Sequence, residues 1–119
     1  MHNDFYIPIG IPITEKDLPV LVNLLHSVAF KWQKIAVQLN LVSELHNIRD
    51  DLRLALQGHD GYLREILFQW LRQNEKTTLG QLIDALKSES VGEKILARSM
   101  LRDFKYSKSR KGNQLHCNF

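Results

Sequence analysis

Apolar residues recur at i, i+3, i+4 and i+7 along most of the chain, the spacing that lines one face of an α-helix. Leu18, Leu21, Val22 and Leu25 fit it, as do Trp32, Ile35, Ala36 and Leu39. Leu63, Ile66, Leu67 and Trp70 form a third full set, and Leu79, Leu82, Ile83 and Leu86 a fourth. Leu45, Ile48, Leu52 and Ala55 give a thinner stripe between the second and third sets. Ile95, Leu96, Met100, Leu101 and Phe104 give one after the last. The pattern predicts an all-α domain, a six-helix antiparallel bundle with helices over 14–27, 29–40, 43–56, 61–74, 78–88 and 91–105. Short loops favour antiparallel neighbours.

Polar residues mark the predicted ends. Thr14 with Asp17 can cap the first helix, with Pro19 near its first turn, and Ser43 can cap the third. Gly58 can close the third, Asp60 can cap the fourth and Asn74 can end it. Thr77 or Thr78 opens the fifth, and Ser90 with Glu93 reads as a capping box for the sixth. Ile7, Ile9, Ile11 and Ile13 alternate with period two, so residues 1–13 read as an extended arm. Residues 106–119 lack apolar periodicity and read as a basic flexible tail that adds little stability.

At 119 residues the chain supports one domain, with a core that needs no disulfide or metal. Cys117 is the single cysteine, which points to a reducing, cytoplasmic setting. The apolar start carries acid and two prolines and makes a poor signal peptide, and no apolar run reaches membrane-spanning length. The net charge of +3 is unevenly spread. From Arg102 to Phe119 the net is +4, leaving −1 for the rest, so a basic tail is attached to a nearly neutral globule.

That distribution bears on the stretch FKWQKIAVQLNL, Phe30 to Leu41, where Trp32 lies between Lys31 and Lys34. Aromatics among basic residues can form a nucleic-acid stacking platform. Here Trp32 shares a stripe with Ile35, Ala36 and Leu39, so a core Trp flanked by solvated lysines is the expected arrangement.

The order of motifs is more telling than any one of them. WQKIAVQLNL is followed by SELHNI, LREILFQWL, TTLGQLIDAL and SVGEKILARSML. This run, about residues 14 to 104, resembles the death domain, the six-helix bundle of the death-fold superfamily. In that family one Trp on the second helix and one on the fourth anchor the core, and the fifth helix reads Thr-Leu-x-x-Leu-x-x-Ala-Leu. Thr78, Leu79, Leu82, Ala85 and Leu86 match that last pattern. The core expected from stripes and resemblance is Trp32, Ile35, Ala36, Leu39, Leu45, Ile48, Leu63, Ile66, Leu67, Trp70, Leu79, Leu82 and Leu86. The stretch from Ile48 to Leu63 departs from the family by being longer and more apolar, and reads as an extended third helix or a distorted loop. RDDL, Arg49 to Leu52, has the letters of a death-effector motif but falls on the third helix, not near the last, and carries no role from it.

The resemblance implies a non-catalytic adaptor of apoptotic or innate-immune signalling, with other death-domain proteins or itself as partners and no cofactor, metal or small-molecule substrate. Such domains assemble through small asymmetric contacts that stack openly. Transferred here, Lys31, Lys34, His46, Asn47 and Asp50 would form one surface, opposite Lys16, Asn23, Arg64 and Glu65. Arg72, Asn74, Glu75 and Lys76 would form another, against Lys87, Glu89 and Ser90.

The rival reading is a helix-turn-helix DNA-binding domain over IAVQLNLVSELHNI. Anchored on Ala36, that motif needs apolar residues at His46 and Arg49, whereas Leu45 and Ile48 precede them by one place. Glu44, Asp50 and Asp51 would also repel phosphates. Catalysis has less support: His2, His26, His46, His59 and His116 include no i, i+4 pair and no cysteine at zinc spacing. The basic tail leaves only weak contact with anionic lipid as a membrane role.

Overall fold

The computed structural model describes the backbone of residues 10–117 and the side chains of residues 10–109. The described residues are all-helical, with seven α-helices: α1 Leu18–Leu24, α2 Trp32–Gln38, α3 Val42–Arg49, α4 Leu52–Gln57, α5 His59–Gln73, α6 Leu79–Lys87 and α7 Lys94–Cys117. Short 3-10 turns over Glu15–Asp17 and His26–Lys31 lead into α1 and α2. α5 touches α1, α2, α3 and α4, while α7 packs on α1 and α6.

Two boundaries differ from the periodic pattern. The helix expected over 43–56 is two helices, because the backbone leaves helical geometry at Asp51 (φ −78°, ψ 112°). The Asp51 carboxylate then accepts from the Arg53 amide at 2.9 Å and starts α4 afresh. The break shifts the helical phase, so Leu54 is buried while Leu52 and Ala55, both on the expected stripe, are exposed. The last helix begins at Lys94 and continues through Cys117, past the expected end at 105. Lys108, in the segment read as a tail, reaches back to the nearly buried Asp17 at 3.0 Å.

The caps sort in the same way. Thr14 and Asp17 form a capping box, and Thr78 and Gln81 form another that opens α6. Asn74 closes α5 by donating its Nδ2 to the Trp70 carbonyl at 2.8 Å. The expected Ser90–Glu93 box is not made: Ser90 Oγ accepts from Gln38 Nε2, and the Glu93 carboxylate takes the Lys31 ammonium. Ser43 does not cap α3 and donates instead to Glu44. Gly58 closes α4, and Asp60 lies inside the first turn of α5 rather than at its cap.

The expected core is buried, except that Leu45 is half-buried against it. Ala97, Met100 and Phe104 of α7 complete it. Ile7 and Ile9 of the expected arm lie outside the described residues. Ile13 is buried, and the arm's near end runs antiparallel beside the start of α6: Ile13 N–H donates to Thr77 O, and Leu79 N–H to Ile11 O. No helix among the described residues is long and apolar enough to cross a membrane.

Candidate protein-interaction surfaces

α2 sets Trp32 inward, flat against Tyr62 of α5, with ring centroids 4.4 Å apart and planes 7° from parallel. That orientation turns the flanking lysines outward, but to different ends. Lys34 is exposed. Lys31 is half-buried and bridges to the turn before α7, donating to the Val91 carbonyl at 2.8 Å and to Glu93. Lys31 therefore ties α2 to α7 and is not available as Lys34 is.

On α3, Ile48 faces the core and leaves His46, Asn47, Arg49 and Asp50 exposed. His46 Nε2 lies 3.3 Å from Asp50 and its Nδ1 3.3 Å from an Arg49 nitrogen. Ion pairs this exposed contribute little to stability, so these side chains can exchange partners at low cost. The two positions where a DNA-reading helix would need apolar anchors, His46 and Arg49, are therefore surface residues.

The residues expected opposite lie on the first elements and on α5. Lys16, Asn23 and Arg64 are exposed, and half-buried Glu65 accepts from Gln69 at 2.8 Å. In the second set, Arg72 is exposed above the Phe68 ring at 5.4 Å, and Glu75 and Lys76 are exposed in the α5–α6 loop. Asn74 is taken up by its capping bond. Lys87 at the end of α6 and Glu89 and Ser90 just after it are exposed, with Ser90 held by Gln38.

Two carboxylates beside these surfaces, Glu44 and Asp51, have their pKa values lowered by their partners. Glu44 is held below its ordinary value by hydrogen bonds from Ser43 and Gln73. Asp51 is lowered chiefly by the Arg53 guanidinium, whose own value the pairing raises.

Several surface features were not anticipated. Leu52 and Leu56 on α4 are 79% and 90% exposed, and Phe30 is 59% exposed. Phe30 lines a depression of about 270 Å³ with His26, Ala29, Gln57, His59 and Asp60. His26 Nδ1 meets Asp60 there at 2.8 Å, joining the end of α1 to the start of α5. Leu52 matched a core stripe in sequence, and only the break at Asp51 turns it out. Among the described residues, no group of three or more His, Cys, Asp or Glu is placed to hold a metal ion.

Comparison with protein-family models, with curated proteins and with solved structures gives no match for this chain.

Proposed function

We propose that the chain is a death-domain-like module that binds other such domains, or itself, as a non-catalytic adaptor in intracellular signalling of the apoptotic or innate-immune kind. The observation that carries this reading is how the motif residues divide. Trp32, Trp70 and the Leu79–Leu82–Leu86 face are committed to the core, while exposed charges of both signs sit on α3 and α5. In this reading α3 and α4 together take the place of the family's third helix, and the break at Asp51 is a local departure.

The proposed contacts are asymmetric. His46, Asn47 and Asp50, with Lys34, meet Lys16, Asn23, Arg64 and Glu65 of a second domain. Arg72, Glu75 and Lys76 meet Lys87, Glu89 and Ser90 of another. Lys31 is left out, because Glu93 holds it within the chain. Each contact is weak alone, and several engaged together give the affinity.

Sedimentation velocity across a concentration series at low and high salt tests the reading, together with affinity capture from lysate of the source cells. Self-association that salt weakens, or capture of death-fold proteins, is the expected result. A strict monomer at high concentration and low salt that captures no death-fold protein overturns it. Tight salt-sensitive binding to duplex DNA would instead favour the helix-turn-helix reading.

A further inference from the structure

α7 carries an ordered basic face that nothing in the proposed assembly uses. Lys94, Arg98, Arg102 and Lys105 are all exposed. At 100° per residue they fall within an arc of about 80°, and at 1.5 Å per residue they form a row about 16 Å long. The opposite face, Ala97, Met100 and Phe104, is buried in the core, which fixes the row as a ridge on the bundle. The one acid on α7 is Asp103, and it meets Arg102 Nε at 3.2 Å. Lys94, Arg98 and Lys105 pair with no carboxylate among the described residues.

Stability does not account for this arrangement. Lys94 with Arg98, and Arg98 with Arg102, are like charges at i, i+4, a spacing that disfavours a helix. Along one edge of the ridge two apolar side chains stand in water, Ile95 at 82% exposure and Tyr106 at 63%.

We infer that this face of α7 is a peripheral docking surface for an anionic phospholipid bilayer. The four cations match a plane of phosphate and carboxylate headgroups, and each adds attraction near such a surface. Ile95 and Tyr106 then sit at headgroup depth, where an aliphatic side chain and an amphipathic tyrosine are both favoured. The helix cannot insert further, because its other face is the core of the domain. Contact is therefore superficial, reversible and salt-sensitive. A polynucleotide fits less well: exposed Ile95 beside the cations offers nothing to a phosphate backbone, whereas the headgroup region of a bilayer accommodates it.

Flotation of the full chain with vesicles tests the inference without any protein partner, so its failure leaves the homotypic reading untouched. Vesicles of phosphatidylcholine with phosphatidylserine should capture the protein, pure phosphatidylcholine should not, and added salt should release it. Arg98→Gln with Arg102→Gln should weaken capture roughly thirtyfold. Arg49→Gln with Arg53→Gln, the same charge change on α3 and α4, should have a clearly smaller effect. Tyr106→Ala should weaken capture at unchanged charge. Thermal melts by circular dichroism check that each variant is folded, and Lys105→Gln with Tyr106→Ala replaces the arginine pair if that pair unfolds. The inference is overturned by absence of capture on phosphatidylserine vesicles, or by equal loss from both arginine pairs. Displacement from the vesicles by duplex DNA at a lower phosphate concentration would make the ridge a polynucleotide site instead.

Discussion

Lys31 and Lys34 differ by one turn of chain and by their whole energetic role. Lys31 makes two bonds in a half-buried setting, to the Val91 carbonyl and to Glu93, so its loss leaves two acceptors short of a donor. Lys31→Ala should lower unfolding free energy by about 1–2 kcal/mol, whereas Lys34→Ala should change it by less than about 0.5 kcal/mol. Urea titrations of both variants decide this, and equal values would show that the bridge to α7 is not formed. Trp32 sets the larger scale. It is 4% exposed and stacked on Tyr62, and Trp70 is equally buried. Either Trp→Ala should cost about 3–5 kcal/mol. A domain of this size moves its melting point by about 4–8 °C per kcal/mol. A cooperative melt within a few degrees of wild type for either variant would contradict the core assignment. These positions were legible in sequence because an indole on a regular apolar stripe has little alternative to burial. The fate of Lys31 was not, because its partners lie some sixty residues away and no local pattern encodes them.

Among the elements, the α3–α5 corner is where pattern and structure part. Periodicity counts apolar positions but does not register a phase jump, and one extended residue at Asp51 was enough to exchange Leu54 for Leu52 in the core. Two glycines hold the corner. Gly58 ends α4 at φ 75°, a conformation that side chains with a Cβ seldom take. Gly61 lets α5 start hard against α4, since a Cβ there would lie 2.5 Å from Gln57 Cβ and 3.1 Å from the Leu54 carbonyl. Gly61→Ala should therefore destabilise the domain by about 1–3 kcal/mol through overpacking. Gly10→Ala, with nothing within 4 Å, should be silent. Matched thermal melts would test the contrast, and a silent Gly61→Ala would mean the two helices are not in contact there. Asp51 adds a pH dependence. Its folded-state pKa lies below the ordinary carboxylate value, so its contribution is fully present above the unfolded pKa. It is lost as pH falls through the depressed folded pKa. The Arg53 amide shift should accordingly titrate with a midpoint below that of an unstructured aspartate, and Asp51→Asn should abolish that step. A midpoint at or above the unstructured value would show that the cap and the guanidinium contact are absent in solution.

At the scale of the whole molecule, charge is sorted by element. α7 carries seven basic residues and one acid, while α3 to α6 hold acids and bases side by side. The two distributions suit different contacts. A one-sign ridge suits an extended surface of the other sign, and interspersed charges suit a protein surface patterned in the complementary way. The order of the core stripes was visible from apolar spacing, whereas the continuation of α7 through Cys117 was not, because residues 106–117 carry no apolar stripe. Which surface meets which partner was not visible either, because the pairing of exposed charges depends on a second molecule. The homotypic reading turns this into a reciprocal test. Asp50 is exposed on α3 and Arg64 on α5, and neither is needed for the core. If the α3 surface of one copy meets the α5 surface of the next, Asp50→Lys and Arg64→Glu should each abolish self-association while leaving the melt unchanged. Truncating or reversing one partner of a desolvated pair costs about 2–5 kcal/mol, enough to lose a weak contact outright. Mixing the two variants should restore association, because the reversed lysine of one then faces the reversed glutamate of the other. The unreversed Asp50 of one variant also faces the unreversed Arg64 of the other, so the mixture should build stacks in which the two variants alternate. Analytical ultracentrifugation separates these outcomes, and two variants that stay monomeric when mixed would show that Asp50 and Arg64 do not meet across an interface.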